Sequence, residues 1–161
     1  MKSYTIIIEY TNRKVWLNMA NKDLIINSDI DLDQKVLGLL ICTAQEQTAK
    51  MMRSIRHMNL SLTQVNILHA LSNSPSGQLT VNQIKSFMVD ESPNVSRSLN
   101  KLMENGYIVK ERSNEDQRVV YITVTDKGRE IHESADKELL KLSLNLSQGE
   151  LEKMYELLTK I

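Results

Sequence analysis

The segment Ser92 to Lys101 carries two cations, Arg97 and Lys101, and no anion, set among Ser92, Asn94, Ser96, Ser98 and Asn100. Cations interleaved with short hydroxyl and amide side chains are the groups that reach phosphate oxygens and the edges of bases. At about 100° per residue on a helix, Val95, Leu99 and Leu102 cluster within about 60° as one apolar side. Arg97, Lys101 and Asn94 then fall opposite, with Ser96 and Asn100 at one margin and Ser98 at the other. An ordinary solvated helix surface accounts for this face equally well.

A further cation lies downstream. Two β-prone runs, Tyr107–Arg112 and Arg118–Val124, flank the polar stretch Ser113 to Gln117, which reads as a hairpin with a five-residue tip. Asp116 stands two residues before Arg118, so on a tight loop its carboxylate can hold the guanidinium in one orientation. An arginine presented in this way suits a narrow, negatively charged minor groove. Taken alone, a surface ion pair is the plainer reading.

Other chemistry is thin. Cys42 sits among Leu39, Leu40 and Ile41 in a helical stretch, where a thiol packs as a small hydrophobe unless its pKa is lowered. His57, His69 and His132 are too scattered to suggest a metal site by spacing, so no metal and no cofactor are expected. Eight methionines, including the pair Met51-Met52, fit core packing better than a ligand pocket. A Gly-rich phosphate loop, an HExxH pair and a recognisable nucleophile setting are all missing, which argues against an enzyme.

The elements that must position these residues are mostly helical. The chain has 161 residues, 41% hydrophobic and 25% charged, with 20 Lys+Arg against 20 Asp+Glu. That balance excludes a chain basic throughout, though not a local basic face. One cysteine allows no internal disulfide and suits a reducing cytoplasm. Apolar runs fall far short of the roughly 20 residues that span a bilayer, and no secretory signal is read at the start. Tyr4–Tyr10 has strand propensity, the run Thr11 to Asn27 is mixed, and Met19 offers an alternative start.

A long helix is expected from Asp31 to about His57, with Val36, Leu40, Ala44, Met51, Ile55 and Met58 on one stripe. A second helix spans Leu62–Ser72, with Val65, Leu68 and Leu71 inward, and residues 73–77 form a turn. Thr80 and Gln83 form a capping box for a short helix through Met88. Ser92 with Pro93 starts the next helix, which Gly106 ends in the left-handed conformation. A helix from Asp126 to about Leu144 and a final one opened by Ser147 and Glu150 complete the chain. A short helix turning into a polar-faced one, followed by a hairpin, is a helix-turn-helix with a wing.

The runs SPNVSRSLNKLMENGYI (92–108) and DQRVVYITVTDKG (116–128) resemble the MarR family of bacterial transcriptional regulators. The second matches that family's Asp-x-Arg wing and its Leu-Thr-x-x-Gly exit, with Val124 in the leucine's place. Leu62-Thr63 with Leu68 and the closing helical pair fit as well, so the resemblance covers about residues 32–161. Lys85 departs from it, standing where the family commonly has alanine.

The resemblance implies a mainly α chain: a winged helix-turn-helix with long N- and C-terminal dimerisation helices. The expected divisions are residues 1–30 as an extension, 31–60 as a dimerisation helix, 61–125 as the DNA-binding domain and 126–161 as C-terminal dimerisation helices. By position, Ser92, Asn94, Ser96, Arg97, Ser98 and Lys101 would contact the major groove of double-stranded DNA, and Arg118 braced by Asp116 the minor groove. The expected protein is a cytoplasmic homodimeric regulator, a repressor, on a pseudo-palindromic operator, released by a small-molecule effector or an oxidant. The alternative is a winged-helix protein-interaction module without DNA binding, which the zero net charge favours.

Overall fold

The computed structural model describes residues 22–88, 94–113, 116 and 118–161. The strand expected at Tyr4–Tyr10, the alternative start at Met19 and the Ser92–Pro93 helix start lie outside the described residues. The chain divides into two compact units, Met1–Lys50 and Met51–Ile161.

In the first unit, helix α1 (Lys22–Ile26) precedes the long helix α2 (Leu32–Ser54), which runs on into the second unit. Five residues are too few for a helix to persist on local propensity. Ile25, 2% exposed, packs its side chain on Gly38 of α2, and Lys22 Nζ meets Glu46 Oε2 at 2.6 Å. These contacts select the side of α2 that is buried. Gly38 and Cys42 are the buried residues of α2. Of the expected stripe, Val36 and Ala44 are exposed, Leu40 and Met51 half-buried, and Ile55, just past the helix, is fully buried with Met58 packed against the same core. At the amino-terminal end of α2 the apolar spacing marked a different side because it carries no information about where α1 lies.

In the second unit, a 3₁₀ turn (Arg56–Met58) ends at Asn59, whose φ of 55° lies in the left-handed region that asparagine tolerates. Helix α3 (Leu62–Asn73) opens on a capping box: the Ser61 hydroxyl accepts from Gln64 N–H at 3.2 Å, and Gln64 Oε1 accepts from Ser61 N–H at 2.8 Å. Val65, Leu68 and Leu71 are buried as their spacing predicts, and Ile67 with them.

Strand β1 (Gln78–Thr80) leads directly into α4 (Val81–Ser86), capped by Thr80 and Gln83 as the sequence predicts. Helix α5 (Asn94–Glu104) ends in a Schellman motif: Tyr107 N–H donates to Leu102 O, Gly106 N–H donates to Met103 O, and Gly106 has φ +72°. Strands β2 (Ile108–Arg112) and β3 (Val120–Val124) form the expected hairpin. The sheet has a third member, because β1 pairs antiparallel with β3 and gives the order β1-β3-β2. Three residues carry too little pattern to be read as a strand, and only pairing with β3 makes β1 one.

Helix α6 (Asp126–Leu139) is capped by Thr125, whose hydroxyl accepts from Gly128 N–H at 3.0 Å. It stops five residues short of the expected Leu144. The following run, Lys141-Leu142-Ser143-Leu144-Asn145-Leu146, has Ser and Asn that compete with helix for backbone hydrogen bonds, and Leu142 N–H closes a tight turn onto Leu139 O. Helix α7 (Gln148–Leu158) starts on the predicted Ser147–Glu150 box. The core joins all three strands to α3, α4, α5 and α6: Leu68, Ile84, Leu102 and Ile122 are each 0% exposed, and Ala135 of α6 lies in the same cluster.

Candidate functional site

The geometry of α5 follows from its spacing. Val95, Leu99 and Leu102 are 1%, 5% and 0% exposed, so the predicted apolar side faces the core. Arg97, Ser96, Asn100 and Lys101 are therefore exposed. Ser98, expected at the margin of the outer face, is buried instead, since its position turns it towards the core side. Ser92 and the side chain of Asn94 lie outside the described residues. Among the described residues, Arg97 and Lys101 take part in no ion pair. Two cations thus stand in solvent on one side of a helix whose other side is fixed by packing.

At the hairpin tip, Asp116 and Arg118 are both exposed and close together, but not as expected. Asp116 Oδ1 accepts the backbone N–H of Arg118 at 2.9 Å, and Asp116 O accepts Val119 N–H at 2.9 Å. Ser113 N–H donates to Val119 O at 2.9 Å and closes the loop. The carboxylate therefore builds an Asx turn rather than an ion pair with the guanidinium. A residue two places after an aspartate has its N–H within reach of that carboxylate, and satisfying the backbone donor takes precedence in a tight turn.

The wing is tied to α4 through the sheet. Thr80 pairs with Tyr121 in the β1–β3 register while its hydroxyl caps α4. Thr80, Val81 and Asn82 line an open cleft of about 340 Å³ together with Arg118, Val119 and Val120. The base of the wing and the start of the helix-turn-helix thus share one surface. The exit from the wing is equally constrained. A Cβ on Gly128 would collide with the Tyr107 carbonyl oxygen, Thr125 Oγ1 donates to Gly106 O at 2.8 Å, and Lys127 Nζ donates to Asn105 O at 2.9 Å.

One grouping was invisible in the sequence. His69 of α3 and His132 of α6 are 63 positions apart, yet His69 Nδ1 and His132 Nε2 lie 3.1 Å from each other. Asp136 Oδ2 is 3.3 Å from His132 Nε2 and 3.8 Å from His69 Nδ1. Burial holds the His132 pKa below the usual histidine value; Asp136 opposes that shift and His69 adds to it. The His132-x-x-x-Asp136 spacing, one helical turn, was the only available signal. Cys42, by contrast, is 2% exposed, in keeping with a packed thiol.

Comparison with known proteins places this geometry. A family model described as transcriptional regulator SarA/Rot matches residues 50–135, more than half of the chain. The HTH-type transcriptional regulator TcaR of Staphylococcus aureus strain Newman is 36% identical over 85 residues, covering 51% of this chain and 54% of TcaR. An HTH-type transcriptional regulator of S. aureus strain Mu50 is 31% identical over 77 residues, covering 44% of this chain and 53% of that protein. The matched region spans about half the length of these curated relatives. In fold, the chain resembles a MarR-like transcription regulator from Bacillus cereus, with a TM-score of 0.71, 18% identity and coverage of 80% of this chain and 94% of that one. It also resembles Bordetella bronchiseptica BpsR, whose DNA binding is regulated by 6-hydroxynicotinic acid, with a TM-score of 0.68, 20% identity and coverage of 83% and 96%. The expected winged helix-turn-helix of MarR type is therefore the observed fold, and the chain belongs to the SarA/Rot family of transcriptional regulators.

Proposed function

We propose that this chain is a sequence-specific DNA-binding regulator, a repressor acting as a cytoplasmic homodimer on a pseudo-palindromic operator. The observation that carries the reading is the outer side of α5, where Arg97 and Lys101 stand exposed while Val95, Leu99 and Leu102 anchor the helix from within. Helix α5 enters the major groove, with Arg97 and Ser96 on base edges and Lys101 on phosphate. Arg118, on a turn shaped by Asp116, enters the adjacent minor groove. Ser98 lies beneath this surface and is left out of the contact set.

Apolar surface without a partner in the single chain supports the homodimer. In the second unit, Leu140, Leu157 and Ile161 are 84%, 56% and 90% exposed, and α7 has no buried residue. In the first, Leu32, Val36 and Leu37 are 76%, 49% and 47% exposed. A second copy covers such surface and sets half-sites about one helical turn apart. Release by a small ligand requires only that it bind two dimer geometries unequally.

The test is fluorescence anisotropy of the full chain with promoter DNA of its own gene over a range of salt. Binding that weakens steeply with salt, and more for the promoter than for random DNA, supports the reading. A flat response at all salt concentrations overturns it and leaves the protein-interaction module, which the zero net charge favours.

A further inference from the structure

We propose that His69, His132 and Asp136 form a binding site for a divalent transition-metal ion of the zinc class, joining α3 to α6. The three ligand atoms, His69 Nδ1, His132 Nε2 and Asp136 Oδ2, lie 3.1, 3.3 and 3.8 Å apart. Ligand atoms around a tetrahedral zinc with bonds of about 2.0–2.1 Å stand roughly 3.3 Å from one another, a spacing close to these three separations, so one ion lies within bonding distance of all three.

Without a metal, one proton on His132 Nε2 faces both His69 Nδ1 at 3.1 Å and Asp136 Oδ2 at 3.3 Å, so a single donor serves two acceptors. His132 is 5% exposed, so water competes little for its ring nitrogen. A cation at the centre of the triangle satisfies all three atoms together.

The surroundings fit as well. The other ring nitrogen of His69, Nε2, lies 2.9 Å from the Asn73 amide. With the amide turned so that Oδ1 accepts from Nε2–H, Asn73 fixes the tautomer that leaves Nδ1 free to bind a metal. His69 and Asn73 also line an open cleft of about 600 Å³ between α3 and the turn before β1, which supplies an access route and room for water as a fourth ligand. Two imidazoles and one carboxylate are ligands that zinc accepts, and divalent iron, cobalt or nickel compete for the same set.

The experiment is a competition titration of the full, chelator-treated chain with zinc chloride against a chromophoric chelator. One zinc per chain at micromolar affinity or tighter is expected, with a rise in the thermal midpoint. His69→Ala and Asp136→Asn each lose tenfold or more in affinity, while His57→Ala and Cys42→Ala leave it unchanged. Cobalt added in place of zinc gives tetrahedral d–d absorption in the parent chain and not in His69→Ala. His132 is buried and its replacement risks the fold, so the exposed His69 and the half-buried Asp136 carry the decision, with circular dichroism confirming that both variants are folded. Absence of micromolar binding, or equal binding by the parent chain and both variants, overturns the site.

Discussion

Asp116 accepts the backbone N–H of Arg118 at 2.9 Å, so the carboxylate shapes the loop and leaves the guanidinium unpaired among the described residues. This separates two roles for an acidic residue beside an arginine proposed to enter the minor groove. Asparagine keeps the same acceptor oxygen without the charge. Asp116→Asn should therefore bind operator DNA at least as well as the parent chain, whereas Asp116→Ala loses the turn and weakens binding. Anisotropy titration of both variants decides. Equal loss in the two variants would show that the charge matters rather than the turn.

Removing the wing arginine itself has a defined size. Arg118→Ala should weaken operator binding by roughly 1–3 kcal/mol, the scale of one good groove contact. Unchanged affinity on the operator discards the wing contact.

The two cations of α5 should behave differently from each other. Arg97→Ala relaxes discrimination at a particular base pair, seen as convergence of operator and mutated-operator affinities. Lys101→Ala weakens all sequences about equally and lowers the salt slope by about one. Identical behaviour of the two variants would remove the assignment of base and phosphate roles.

Gly128 lies where α6 passes the start of β2. Gly128→Ala places a methyl group against the Tyr107 carbonyl and the Val124 side chain, and backbone cannot yield as a flexible side chain does. Destabilisation of about 3 kcal/mol is expected in urea unfolding. A loss under half a kcal/mol would mean that the junction relaxes freely.

The Ser147 hydroxyl and backbone N–H hold the Glu150 carboxyl below its ordinary value of 4.5. A carboxyl depressed in the folded state stabilises α7 above that ordinary value, and the gain is lost as pH falls through the lower folded one. Ser147→Ala removes the larger cause, so the Glu150 pKa should rise towards 4.5 in a carboxyl NMR titration. An unmoved titration would show that the box does not persist in solution.

Exposed leucines of α7 give the test of assembly. Leu157→Lys with Leu158→Lys should shift the protein from dimer to monomer in sedimentation velocity. A parent chain that is already monomeric at micromolar concentration overturns the homodimer.

What the sequence determined by itself was whatever short-range physics decides. The capping boxes at Thr80 and Ser147, the left-handed Gly106 and the apolar side of α5 all depend on residues within one or two helical turns. So does the hairpin, whose strands are neighbours in the chain. Only tertiary structure could decide the rest. Whether Gly38 and Cys42 or Val36 and Ala44 are buried depends on where Ile25 packs, and three residues become β1 only beside β3. His69 and His132 meet because α3 and α6 share a core, a proximity that no local spacing encodes. The Asp116 carboxylate chose backbone over guanidinium for a related reason: a tight turn must satisfy its own donors before its side chains pair.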